Sequence, residues 1–285
     1  MLVLHQVKDC KHMCKYRFFV EIAYKGTAYH GWQRQPNVPT VQQILEETLS
    51  KALHQNTICI GCGRTDTMVH ASQYYFHFDY DQAFNFDLKH RLNKMLPNDI
   101  SILNISQVEG KPHAQFTAIA RTYNYFIHSH KDPYLADISS LYPNKFDIKL
   151  MAHAVELISR HTDFVNFCRC PSKHSSTQCN ISSAKLYINT QAGIIQFEIT
   201  ANRFLQGMVR LIVQRIIDVG TSEISISEFE QILSNRIKPK KVTAAYPQGL
   251  HLTRVDYPSI LNVKSCTPNP FFSILKTSKW ESVSK

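Results

Sequence analysis

The sequence predicts an α+β fold built from two consecutive β-α-β-β-α-β units, the ferredoxin-like arrangement. The units are expected to share an extended antiparallel sheet, with helices on one face and a central cleft. Two observations carry this. Runs rich in aromatic and branched residues alternate with segments of helical periodicity, and the order found in residues 16–110 recurs in residues 111–258. Outside these halves lie an N-terminal extension, residues 1–15, and a C-terminal extension, residues 259–285.

In the first half, Tyr16 to Tyr24 (YRFFVEIAY) reads as a strand. A loop punctuated by glycine and proline follows, from Gly26 to Pro39. Thr40, with Gln43 three residues on, gives a capping-box start to a helix. Its buried face is expected to carry Val41, Ile44, Leu45, Thr48 and Ala52. Thr57–Ile60 and Gln73–Asp79 are strand-like, the second alternating through Tyr74, Phe76 and Phe78. A short helix from Leu88 to Leu96 is stopped by Pro97, and a strand follows from Ile100 to Ser106.

The second half opens with a strand from Arg121 to Ser129, with Tyr123, Tyr125 and Ile127 on one face. Ile148, Met151, Val155 and Ile158 mark a helix capped by Asp147. Strands at Ala184–Thr190 and Ile194–Ala201 are joined by a turn ending at Gly193. A strongly apolar helix runs from Phe204 to Val219, closed by Gly220. Ser227 and Glu230 begin another short helix, and Leu250 to Tyr257 makes a late strand.

Composition narrows the functional classes. The 285 residues carry 32 lysines and arginines against 22 acids, a formal charge of +10 spread along the chain. Such a surface suits a polyanion such as nucleic acid, with an anionic membrane surface the weaker fit. No run reaches the length of a transmembrane helix, and Met1 to Lys15 lacks the apolar core of a secretory signal. The eight cysteines are therefore expected to be reduced thiols in a cytoplasm. Cys10, His12 and Cys14, and then Cys168, Cys170, His174 and Cys179, lack the paired spacing of a zinc ribbon. Cys59 and Cys62 form a lone CxxC in a strand-like run, so no metal is expected.

The run Gly61-Cys62-Gly63-Arg64-Thr65-Asp66 places an arginine and a carboxylate on a turn between strand-like segments. On an extended backbone, residues two apart leave the same face. Arg64 is thus expected to hold Asp66 through two parallel hydrogen bonds, presenting an oriented anion for covalent or electrostatic catalysis. Read alone, the run is more readily an ordinary turn with a surface ion pair.

Six segments, in order, carry a resemblance: Gly31-Trp32-Gln33-Arg34-Gln35, Gly63-Arg64-Thr65-Asp66, Val69-His70-Ala71, Ala120-Arg121-Thr122-Tyr123, Met208-Val209-Arg210 and Gly249-Leu250. Together the chain resembles the TruA-type tRNA pseudouridine synthase family. The resemblance implies that Asp66 is the catalytic aspartate of uridine isomerisation, acting on the sugar, on the base, or by removing a ribose proton. It implies that Arg64 helps displace the base and that Tyr123 stacks on the uracil and removes the last proton. Arg210 would pair with Asp66 from the side opposite Arg64, and Leu250 would pack against the base. Lys25, Arg34, Lys94, Arg121, Arg169, Lys173 and Arg203 are candidate phosphate contacts. The resemblance further implies a tRNA substrate in its anticodon arm, a homodimer, and no cofactor.

The chain departs from the family's pattern at several places. Thr67-Met68 replaces Ala-Gly after the aspartate; without glycine's access to positive φ, the loop is expected to follow another path. Lys25, Gln206-Gly207, Gln214 and Cys179 also differ from the usual residues. Two rivals remain open on sequence: an RNA-binding paralogue without chemistry, and an N-glycosylase or glycosidase with Asp66 as nucleophile.

Overall fold

The computed structural model describes residues 16–261 and 280–283. Among these residues the strands are β1 (Tyr16–Tyr24), β2 (Ile60–Gly61), β3 (His70–Tyr80), β4 (Ile100–Val108), β5 (Ala120–His128), β6 (Ser140–Leu141), β7 (Ile181–Asn189), β8 (Ile194–Ala201), β9 (Leu250–Asp256) and β10 (Glu281–Val283). The helices are α1 (Val41–Leu53), α2 (Leu88–Met95), α3 (Ile148–Ile158), α4 (Met208–Gly220) and α5 (Ile226–Leu233). Four helices start where a side-chain oxygen takes the backbone N–H three residues on. Thr40 accepts from Gln43, Asp87 from His90, Asp147 from Leu150 and Ser225 from Glu228.

All strands join one sheet in the order β10-β7-β8-β5-β9-β3-β1-β4, with β2 beside β3 and β6 beside β5. Within it both halves keep the ferredoxin-like order, β4-β1-β3-β2 and β9-β5-β8-β7. They meet where β9 pairs with β3 at His70–His251 and Ala71–Leu252. That seam is parallel, as is the β5–β6 pair, so the sheet is mixed rather than antiparallel throughout. The reason is local. β2 is two residues long and reaches only Phe76 and His77, leaving the start of β3 for a strand that arrives without a hairpin.

One face of the sheet is apolar. Val20, Ile22, Phe76 and Phe78 share a core with Leu45 and Leu49 of α1 and Leu92 of α2. Tyr125, Ile127, Phe197 and Ile199 do the same with Met151, Val155 and Ile158 of α3 and Ile212 and Ile216 of α4. On the opposite face polar side chains pair across strands: Gln73 with Glu21, Gln196 with Asn124, Asn124 with Thr253, and Thr122 with Thr200.

Several element boundaries differ from expectation. β3 and β7 each start three residues earlier, at His70 and Ile181, and α5 is capped by Ser225, which accepts from Glu228, rather than begun by Ser227 and Glu230. Of Thr57–Ile60 only Ile60 is in a strand. Side chains of α1 satisfy the backbone before it: Ser50 Oγ accepts from Thr57, Glu46 Oε1 accepts from Cys59, and Gln42 donates to the Cys59 carbonyl. Helix α4 begins at Met208 rather than Phe204, because Gly207 takes φ +74° and ends any helical path through it. Gly220 lies inside α4, with Thr221 as the cap, and a Cβ there would sit 2.6 Å from Met151 Cγ.

The group Cys10, His12 and Cys14 lies outside the described residues. Cys59, Cys62, Cys168 and Cys179 are buried free thiols and Cys170 is half-buried. Among the described residues no three metal-ligating side chains converge, and no helix is long and apolar enough to cross a membrane.

Candidate active site

Asp66 sits on the turn between β2 and β3, beside the seam. The turn leaves the ladder, and its backbone is held by its surroundings at several points. Tyr74 Oη donates to Gly63 O at 2.6 Å, Trp32 N–H donates to Thr65 O at 3.2 Å, and Tyr24 Oη bonds Thr65 Oγ1 at 2.8 Å. Arg121 Nη2 donates to Cys62 O at 2.9 Å. Gly31, at φ +87°, backs the turn so closely that a Cβ would stand 2.4 Å from Thr65 O. The motif glycine and tryptophan therefore serve as the bed on which the aspartate's turn rests.

The carboxylate of Asp66 faces Arg210, with Nη1 3.6 Å from Oδ2. The arginine side chain is 11% exposed and its Nε donates to Ala245 O at 2.7 Å. Burial lowers the Arg210 pKa, the neighbouring Arg169 guanidinium adds to that, and Asp66 opposes both. This meets the need of a charge set among Leu205, Met208, Val209 and Leu211, all buried.

Arg64 does not hold Asp66. Among the described residues the ion pair of Asp66 is with Arg210, and Arg64 is exposed. The rule that residues two apart share a face applies only within a strand, and residues 62–69 form a turn in which Thr65 points inward to Tyr24. Arg64 is left projecting to solvent at the rim.

Tyr123 on β5 is half-buried and packs against both cores, its ring edge-on to Phe204 at 5.1 Å. Burial drives its phenol pKa well above the usual value; Cys62 and Asp66 add to the rise while Arg121 opposes it. Leu250 opens β9, buried in the cluster that holds Val69, Leu205 and Val209. Asp66 thus comes from the first half, and Arg210, Tyr123 and Leu250 from the second.

The loop after Asp66 keeps a left-handed residue despite lacking glycine. Met68 itself takes φ +63°, its N–H donating to Tyr29 O at 3.1 Å. At this position the chain accepts the left-handed strain, about 1 kcal/mol, without a glycine.

The candidate phosphate contacts divide. Arg121 donates to the backbone carbonyls of Cys62, Gln115, Ala118 and Asn202, so its guanidinium is a brace. Arg34 is shared between Glu46, at 3.2 Å, and Glu47, at 3.7 Å, and Lys25 meets Asp137 at 2.6 Å. Arg169, Lys173 and Lys94 are exposed and Arg203 is half-buried.

His70, one of the motif residues, ties the two halves together. Its Nδ1 accepts the Gly26 N–H at 3.0 Å, so Nε2 carries the proton and donates to Gln248 O at 3.1 Å. Its ring stacks on His251 at 4.5 Å across the seam. Burial pushes the His70 pKa down to about 4 and that of His251 to about 3. Both rings are thus neutral ties between the halves. A histidine beside a strand start gives no sequence signal for such a role.

Residues 154–258 match the family model described as tRNA pseudouridine synthase. The tRNA pseudouridine synthase A of Porphyromonas gingivalis is 40% identical over 248 residues, 86% of this chain and 98% of that protein. The protein of the same name from Azobacteroides pseudotrichonymphae is 38% identical, over 85% and 97%. That from Bacteroides fragilis is 36% identical, over 85% and 96%. The chain belongs to the tRNA pseudouridine synthase A family. Family membership covers the half that carries Asp66 as well as the half that the family model matches, since these relatives align along nearly their whole length.

Proposed function

We propose that this protein isomerises uridine to pseudouridine in the anticodon arm of tRNA, with Asp66 as the catalytic carboxylate. The observation that carries this reading is the Asp66–Arg210 pair at 3.6 Å, formed across the seam beside Tyr123 and Leu250. In the reaction the bond between uracil N1 and ribose C1′ breaks, the base turns, and a bond from C5 to C1′ forms. N1 gains a proton and C5 loses one, so the mass of the RNA is unchanged. Asp66 starts this sequence by attack on the sugar or the base, or by taking a ribose proton, with Arg210 compensating its charge in a site of low polarity.

Tyr123 offers an aromatic face to the uracil. Its raised phenol pKa supports the stacking role over removal of the C5 proton in the free protein. In this reading Arg64, which is exposed, takes the place of the extruded base in its stack. Arg169 and Arg203 are the better candidates for phosphate contacts than Arg34 and Arg121, whose guanidinium groups already have partners. A homodimer and a cytoplasmic location belong to the same reading.

Tritium placed on C5 of uridine in tRNA should be released as water by the wild-type protein and not by Asp66→Ala. Failure of the wild type to release tritium from any cellular RNA would reject the proposal. Free uracil among the products would instead favour the glycosylase reading, and RNA binding without release the non-catalytic one.

A further inference from the structure

Phe116 is 78% exposed, although the loop bearing it is firmly anchored. Two residues before it Ala114 is buried, with its N–H donating to His77 Nδ1 at 3.1 Å and its carbonyl accepting from Tyr257 Oη at 2.6 Å. The His113 ring lies on the Phe116 ring, centroids 4.3 Å apart and planes 27° apart. Nδ1 of His113 accepts from the N–H groups of Gln115 and Phe116, which holds that imidazole in place. One face of Phe116 is thus covered by a held ring, and the rest of the ring stands in solvent.

The position of this stack is tied to the catalytic turn through one side chain. Arg121 Nη2 donates both to Gln115 O, at 2.6 Å, and to Cys62 O, at 2.9 Å. The loop and the turn carrying Arg64 and Asp66 are therefore braced by the same guanidinium. An exposed phenylalanine that no core requires, pre-stacked and held at the rim of a basic protein, has the features of a base platform. A second copy of the chain would need more apolar neighbours than Ile119, which is also exposed. A single splayed nucleotide needs only one ring face.

We propose that Phe116, backed by His113, is a stacking platform for an unpaired nucleobase adjacent to the target uridine. The inference rests on the tRNA reading above, and its ligand class is a base flanking the one that reacts. Occupation of the platform holds the strand open, so that the neighbour of the extruded uridine does not re-stack on the helix.

The test uses the full chain and tRNA transcripts with 2-aminopurine on the 5′ or the 3′ side of the mapped target uridine. Stacking quenches this fluorophore. Wild type and Phe116→Trp should quench one of the two probes. Phe116→Ala and Phe116→Leu should lose the quenching and weaken tRNA binding about tenfold. The leucine variant keeps apolar area without a ring and separates stacking from general burial. Unchanged quenching at both positions in Phe116→Ala would overturn the inference, with the function intact if tritium release persists. A lower solution mass for Phe116→Ala, with quenching unchanged, would assign the ring to a subunit contact instead. If the wild type neither binds nor modifies tRNA, both the function and the platform fall.

Discussion

Arg121 shows how far a residue's type can mislead about its work. On sequence it is one more basic side chain beside a motif tyrosine, and it reads as a phosphate contact. In the structure four backbone carbonyls surround it, one of them on the turn that carries Asp66. Lysine has the charge but lacks the fork to reach them together. Arg121→Lys should lower kcat about 100-fold, as expected when a catalytic group moves by about 1 Å, and leave the salt dependence of tRNA binding unchanged. A phosphate contact would instead reduce the salt slope by about one unit with kcat kept. The Asp66–Arg210 pair was legible in the motifs because a buried arginine needs an acid. The Arg64–Asp66 pair was misread because an extended backbone was assumed for residues that form a turn.

Among the elements, the helices and long strands were legible as elements, with ends displaced by up to four residues, as at α4, β3 and β7. Thr40 and Asp147 mark helix starts chemically, β1 and β8 follow their aromatic and branched runs, and the cap of α5 is Ser225 rather than the expected Ser227. Short pieces were not, since their hydrogen bonds come from elsewhere: the stretch before β2 is satisfied by side chains of α1. The loop after Asp66 makes the same point. Met68 keeps the left-handed backbone a glycine would supply, at φ +63°. Met68→Gly relieves about 1 kcal/mol of strain and costs about 0.5–1 kcal/mol in chain entropy. Its melting temperature and activity should therefore stay close to wild type. Met68→Val, branched at Cβ, should lower the melting temperature, because such a residue is a poor occupant of positive φ. Equal melting curves for the two variants would contradict this account.

Across the whole molecule, acid sensitivity is expected from two histidines at the seam, and His77, whose pKa burial also lowers to about 4, adds to it. His70 and His251 are buried and neutral, with folded pKa values near 4 and 3. Unfolded histidine titrates near 6.5, so between these values the unfolded chain binds more protons. The contribution to stability is complete above pH 6.5 and is lost as pH falls towards 4, on the order of 1–2 kcal/mol per ring by pH 5. Melting temperature should fall on acidification from pH 7 to pH 5, and the part due to His70 should disappear in His70→Asn. An acid sensitivity identical in that variant would place the titrating groups elsewhere.

A shared sheet was expected from the sequence, but its parallel β9–β3 seam was not, because pairing between distant strands has no local signal. The seam has a consequence for the order in which a working molecule appears. β9 is made after every other strand of the two halves, yet it lies in the middle of the sheet, between β5 and β3. Until it inserts, a growing chain holds the aspartate on one unit and its arginine on another, with no shared ladder between them. On the proposed function, chemistry would thereby be withheld from incomplete chains, with the last strand of the sheet's centre completing the Asp66–Arg210 pair.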